Sequence, residues 1–234
     1  MNRLVTSGIA EFFGTAFLVC VVVGSGIMGT TVSDDAGVAL LINMVSTVFA
    51  LALLIMVLSP ISGAHLNPVV TVIEWSKKSI GTVAALLMIL GQSSGAIAGT
   101  FAAHAMFGLP SLVEGVNERF TVGTGIGEVI ATAGLVMVIG VFVFRNRAEQ
   151  IPLAVAAWIG SAYLFTSSTS FANPAVTVGR MFTDTFAGIA PSSVAPFIAA
   201  QAVGALLGAA AVVALNRSTP TTHDHTKPTG DPLV

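Results

Sequence analysis

Residues 65–70, HLNPVV, and residues 171–176, FANPAV, are one phrase written twice in strongly apolar chain. An Asn-Pro pair is costly in such surroundings. Proline lacks the N–H that a helix interior needs, and a buried amide without partners loses its hydrogen bonds to water. Each pair follows a long apolar run, and neither leaves room for another full crossing before the next polar loop. Both therefore read as re-entrant segments, in which a Gly/Ser-rich stretch dips into a membrane and a short helix returns. Pro68 and Pro174 suit the first turn of such a helix, where no N–H is required. Asn67 and Asn173, one position earlier, are expected as N-caps. Backbone of this kind is tolerated at membrane depth only where it is buried in protein or lines a watery cavity.

The rest of the chain supplies the membrane. Of 234 residues, 54% are hydrophobic and 9% charged, with a mean hydropathy of +0.91; soluble domains carry about a quarter charged residues. Six apolar runs approach the length needed to cross a bilayer, at about Gly8–Met28, Val38–Leu58, Ile80–Ala102, Thr124–Phe144, Pro152–Ser168 and Val194–Leu215. The chain is expected to be an all-α integral membrane protein. The first run is too long for a secretory h-region, contains Glu11 and ends without a cleavage signature, so it reads as a retained helix. The single cysteine, Cys20, excludes an intrachain disulfide and a cysteine metal cluster. With the N-terminus in the cytoplasm, Arg3, Lys77, Lys78, Arg145, Arg147, Arg217 and Lys227 fall inside, and only Arg119 and Arg180 outside. The positive-inside rule thus places both termini in the cytoplasm, in the inner membrane if the source is bacterial. Residues 216–234 read as a disordered tail, in which His223 and His225 are a spacer or a loose metal site.

Residues 8–109 and 125–215 repeat one order of features within a channel domain spanning 1–215. GIAEFFGTAF answers GIGEVIATAG, each with a glutamate, Glu11 and Glu128. An apolar helix, the Asn-Pro motif and a glutamine-bearing helix follow in both, with Gln92 and Gln201. Three crossings per half make the second half inverted relative to the first, an arrangement that puts the pathway at the midplane. Two short helices beginning there from opposite sides point their positive ends at each other. The asparagine amides then offer donors to water or hydroxyl oxygen, while the dipoles repel protons and cations.

Asn67-Pro68-Val69 and Asn173-Pro174-Ala175, with the paired Glu and Gln positions, resemble the aquaporin (major intrinsic protein) family over essentially residues 8–215. The resemblance implies six transmembrane helices plus two re-entrant half-helices in a right-handed bundle, a pore through each monomer, and a homotetramer. It also implies that Glu11 and Glu128 accept hydrogen bonds from the re-entrant loops, not that they relay protons. Gln92 and Gln201 are expected on similar loop-supporting faces. Small residues at Gly91, Gly95, Gly99, Gly204 and Gly208 suit close helix contact, within one monomer or between copies. His65 orients the first loop or lines the cytoplasmic vestibule, and His104 is expected to be interfacial.

The chain departs from that pattern where relatives carry an arginine after the second Asn-Pro-Ala, since it has Val176. Ungapped alignment from the motifs gives a selectivity filter of Thr47, Ser161, Ser170 and Val176, with Ser46 or Val48 replacing Thr47 if the second helix slips by one. Such a ring is small, uncharged and without a bulky wall, and is expected to be wide. Arg180 lies one turn beyond Val176 on the same face. It either reaches the outer vestibule and attracts oxyacid solutes, or snorkels to headgroups or pairs with Asp184. Val69 in place of alanine should leave the first cap intact, and Pro60 bears on the cytoplasmic mouth.

These readings converge on a passive channel for small neutral solutes: water, glycerol-like polyols and trihydroxylated metalloids such as arsenous acid. A water-selective pore is the alternative, followed by a proton-coupled transporter using Glu11 and Glu128 and by a closed junction protein. No phosphate-binding loop of the GxxxxGK[ST] form and no nucleophile–base constellation is present, so neither ATP coupling nor an enzyme is expected. No cofactor, metal or nucleic-acid partner is expected either; the partners are the solutes, the lipid bilayer and further copies of the chain.

Overall fold

A computed structural model describes residues 3–111 and 113–217, and these are helical or loop throughout. In chain order the helices are α1 (Arg3–Val32), α2 (Ala36–Ser62), α3 (Pro68–Ser76), α4 (Thr82–Met106), α5 (Val122–Phe144), α6 (Ile151–Phe165), α7 (Pro174–Arg180) and α8 (Pro191–Arg217). A 3₁₀ turn at Ala148–Gln150 leads into α6. Five helices, α1, α2, α4, α5 and α8, are long and apolar enough to cross a bilayer. The expected run at 152–168 is shorter than its composition suggests: α6 has 15 residues, fewer than the roughly 20 of a full crossing. Thr166 turns to extended backbone, so the end of that apolar run belongs to the re-entrant loop. In the six-helix scheme α6 holds the fifth place, packed against α2 and α5. The expected tail, with His223 and His225, lies outside the described residues.

Helix ends follow local chemistry. The Asp35 carboxylate accepts from the Gly37 and Val38 N–H groups and starts α2. Pro60 sits inside the last turn of α2, which stops at Gly63 in a left-handed conformation (φ 88°). Thr121 and Thr124 form a reciprocal capping box at the start of α5.

The helices pack in two matched pairs, α1 on α4 and α5 on α8. Backbone contact replaces side-chain contact along both seams. A Cβ on Gly95 would run into the Phe12 carbonyl, and one on Gly99 into that of Ala16. Gly208 meets the Ala133 carbonyl in the same way. The glycine stripes therefore serve packing within one chain. Large apolar side chains such as Phe17, Phe49, Leu53, Leu90 and Leu206 cover the outside, as expected of helices solvated by lipid.

Candidate functional site

Two loops meet in the middle of this bundle. α3 and α7 begin at the two Asn-Pro motifs, with proline in the first turn of each. The Asn67 side-chain oxygen accepts from the Val69 N–H at 3.0 Å. The Asn173 oxygen accepts from Ala175 and Val176 at 3.0 and 3.3 Å. Both asparagines are thus N-caps. Their amides also cross over: Asn67 Nδ2 donates to the Ala172 carbonyl (2.8 Å) and Asn173 Nδ2 to the Leu66 carbonyl (2.7 Å). An amide carries two N–H groups, so one on each asparagine remains for the cavity that both side chains line.

Buried carboxylates hold the loops from behind. Glu11 Oε1 accepts from the Ser62 hydroxyl (2.6 Å) and the His65 N–H (2.9 Å). Its Oε2 accepts from the Leu66 N–H (2.6 Å) and the Gln92 amide (2.7 Å). Glu128 accepts from the Phe171 and Ala172 N–H groups, each at 2.8 Å, and from Gln201 at 2.6 Å. Gln92 and Gln201 each donate again, to Thr71 (2.9 Å) and Thr177 (3.0 Å), whose hydroxyls bond back to the Asn67 and Asn173 carbonyls. Both glutamates are fully buried, and neither lines the cavity. Their work is to satisfy backbone donors that a non-helical loop leaves open. That support maintains left-handed backbone at Ala64, Leu66, Ser170 and Ala172 (φ 47–52°), which costs a non-glycine residue about 1–2 kcal/mol.

A single cavity of about 330 Å³ runs past both motifs. At one end lie His65, whose Nδ1 is 3.1 Å from the Thr71 hydroxyl, and Glu74, which pairs with Lys77 at 2.5 Å. Thr47, Ser170 and Val176 also line it, as does Tyr163. Ser161, expected in this ring, instead lies exposed on the outer face of α6. The cavity face of α6 carries Val155, Ile159 and Tyr163 at four-residue intervals. Ser161 falls between those steps and points away. Tyr163 is buried, with its hydroxyl 3.5 Å from that of Thr47, so the cavity has an aromatic wall here that the sequence reading lacked. The Ser170 hydroxyl is buried and finds no hydrogen-bond partner among the described residues.

Arg180 is 3% exposed and lines this cavity. Burial at that level excludes snorkelling, and no ion pair with Asp184 forms. Its Nε donates to the Ala187 carbonyl, and its guanidinium stacks 3.4 Å above the Phe171 ring. Arg119 approaches the same ring at 5.5 Å. It donates to the Gly188 and Phe186 carbonyls at 2.6 and 2.7 Å, and burial lowers its pKa from the ordinary arginine value. Phe171 is itself steadied by Phe197, ring centroids 5.1 Å apart. His104, expected at the interface, is 1% exposed. It bridges the Pro110 carbonyl (2.6 Å) and the Thr183 hydroxyl (2.7 Å), tying the loop after α4 to the segment after α7.

A lipid-facing bundle with two half-helices meeting at a polar constriction defines a membrane channel of the aquaporin fold. The chain belongs to the major intrinsic protein family, whose model matches residues 2–170. It is 41% identical over 209 residues to aquaglyceroporin AqpS of Rhizobium meliloti (strain 1021), covering 89% of this chain and 88% of that protein. Aquaporin C of Dictyostelium discoideum is 33% identical over 195 residues, covering 76% and 70% of the two chains. The X-ray structure of the aquaglyceroporin from Plasmodium falciparum superposes with a TM-score of 0.69 at 21% identity, over 91% of this chain and 97% of that one.

Proposed function

We infer that the protein is a passive channel for water and glycerol-like polyols, with the ring Thr47, Tyr163, Ser170 and Val176 as its outer filter. The observation that carries this reading is one continuous cavity that passes both Asn-Pro motifs and is lined beyond them by Thr47, Tyr163, Ser170 and Val176. A polyol needs an apolar wall for its carbons and fixed polar groups for its oxygens, and the ring offers both. Val176 adds no charge, so small trihydroxylated metalloids such as arsenous acid fit the same description. The spare N–H groups of Asn67 and Asn173 provide the midplane donors. The mirrored loops support a channel domain over 1–215 with halves at 8–109 and 125–215.

Glu11 and Glu128 have their oxygens occupied by loop donors and stand off the cavity, which argues against proton coupling. Labelled glycerol uptake into proteoliposomes tests this directly. A channel gives uptake that is linear in concentration and indifferent to an imposed pH gradient; saturating uptake that follows the gradient would sink it. Tyr163, a bulky aromatic side chain lining this cavity, is the observation that favours the second reading, a water-selective pore. Family membership and the clustering of basic residues at the α3–α4 and α5–α6 connections support a homotetramer with cytoplasmic termini in the inner membrane. Chemical cross-linking and protease access to intact cells test those two points.

A further inference from the structure

We propose that the outer mouth of the pore binds one small oxyanion, of carboxylate or sulfonate shape, between the guanidinium groups of Arg180 and Arg119. The proposal deepens the channel reading by giving its outer end a ligand. Arg180 is buried, yet among the described residues the sole ion pair is Glu74 with Lys77. A buried charge without an ion-pair partner is costly, and stacking on Phe171 offsets only part of that cost. Of its five N–H donors, only that on Nε has an acceptor among the described residues, which leaves both Nη groups for the cavity that Arg180 lines. Arg119 spends Nε and Nη2 on the Gly188 and Phe186 carbonyls and leaves Nη1.

Both arginines line an outer cavity of about 510 Å³, and Arg180 also lines the main one. Of the carboxylates nearby, Glu118 lines the same cavity and accepts from the Ser192 and Ser193 hydroxyls, Asp35 caps α2, and Glu128 acts on Arg180 through its charge without forming an ion pair. Two cations therefore flank one ring, and among the described residues neither has an ion-pair partner. A guanidinium fork matches the paired oxygens of a carboxylate or sulfonate. Because Arg180 faces both cavities, an anion held there stands in the solute path and slows flow. Its burial inside the bundle directs the site to a soluble ion, away from lipid headgroups.

The probe is methanesulfonate, ionised at every working pH, with dimethyl sulfone as its uncharged counterpart. Water efflux from proteoliposomes of the full chain is followed in sodium methanesulfonate and in sodium chloride of equal ionic strength. Saturation-transfer NMR on the detergent-purified protein reports binding without any need for flux. The expected result is slower efflux in methanesulfonate, with saturation transfer to it and not to dimethyl sulfone. Arg180→Gln and, separately, Arg119→Gln should each raise the half-inhibiting concentration about tenfold, the equivalent of one charge-assisted hydrogen bond. Equal efflux in the two salts without saturation transfer, or equal transfer to dimethyl sulfone, overturns the proposal. So does undiminished sensitivity in a folded Arg180→Gln variant. Absence of water flow in either salt would refute the channel reading instead, and the NMR comparison would still decide the anion site.

Discussion

Around Asn67 and around Asn173 the same roles fall to the same residue types. A buried glutamate lies behind each loop and a glutamine reaches it from a later helix. A proline opens each half-helix, a valine stands three residues after the asparagine, and a threonine stands four after. Of the positions at which residues 65–74 and 171–180 differ, two change the chemistry most. Two residues before the asparagine, His65 answers Phe171; seven after it, Glu74 answers Arg180. Glu74 is neutralised by Lys77, whereas Arg180 rests on an aromatic ring beside a second arginine. The shared positions hold unusual backbone at the centre of the bundle. The unshared ones give the two mouths different character, so the repeated residues carry the scaffold and the others set the chemistry.

The largest test breaks the shared part. Glu11→Ala would leave four donors without their acceptor and Glu128→Ala three. At about 1–3 kcal/mol for each unsatisfied buried group, both variants should lose most folded protein, read as the monodisperse fraction in detergent after a heat step. Tolerance of either change would mean that its loop is held by something else. Next come the seams: Gly95→Ala and Gly208→Ala each drive a methyl into a carbonyl of the facing helix and should destabilise by about 1–3 kcal/mol. Similar losses at the two sites, measured as detergent melting shifts, would sharpen the equivalence of the halves.

Smaller effects probe the divergence. Val176→Arg adds a guanidinium to the proposed filter, close to Arg180 and Arg119. It should lower glycerol permeability by roughly tenfold with a lesser effect on water, since pore width and lining donors set selectivity. The smallest change is expected at the other mouth. Glu74→Gln removes a partly exposed ion pair and should alter stability by less than about 1 kcal/mol, with water permeability near wild type. A large flux change there would show that the inner mouth is also electrostatically tuned.

Much of this was legible because each half checks the other. Asn67 and Asn173 as caps, and Glu11 and Glu128 with Gln92 and Gln201 behind the loops, could be read by laying one repeat over its counterpart. Thr47 and Val176 also lie at the cavity, as their distance from the motifs suggested. Ser161 failed because counting back from Asn173 assumes a connection of fixed length. The four-residue spacing of Val155, Ile159 and Tyr163 was the better signal, being set by the helix itself. His104 was unreadable for another reason: its partners, Pro110 and Thr183, belong to loops whose approach is a tertiary matter. The meeting of Arg119 and Arg180 over Phe171 is of the same kind. Their shared side of the membrane followed from charge placement, but their contact required the fold.

Stopped-flow light scattering on proteoliposomes tests the central claim most directly. Vesicles are shrunk first with an impermeant osmolyte and then with glycerol. A neutral-solute pore built on these two loops predicts fast shrinkage in both, followed in glycerol by fast re-swelling. Fast shrinkage with no re-swelling would contradict it, placing Tyr163 and Val176 in a filter that passes water alone.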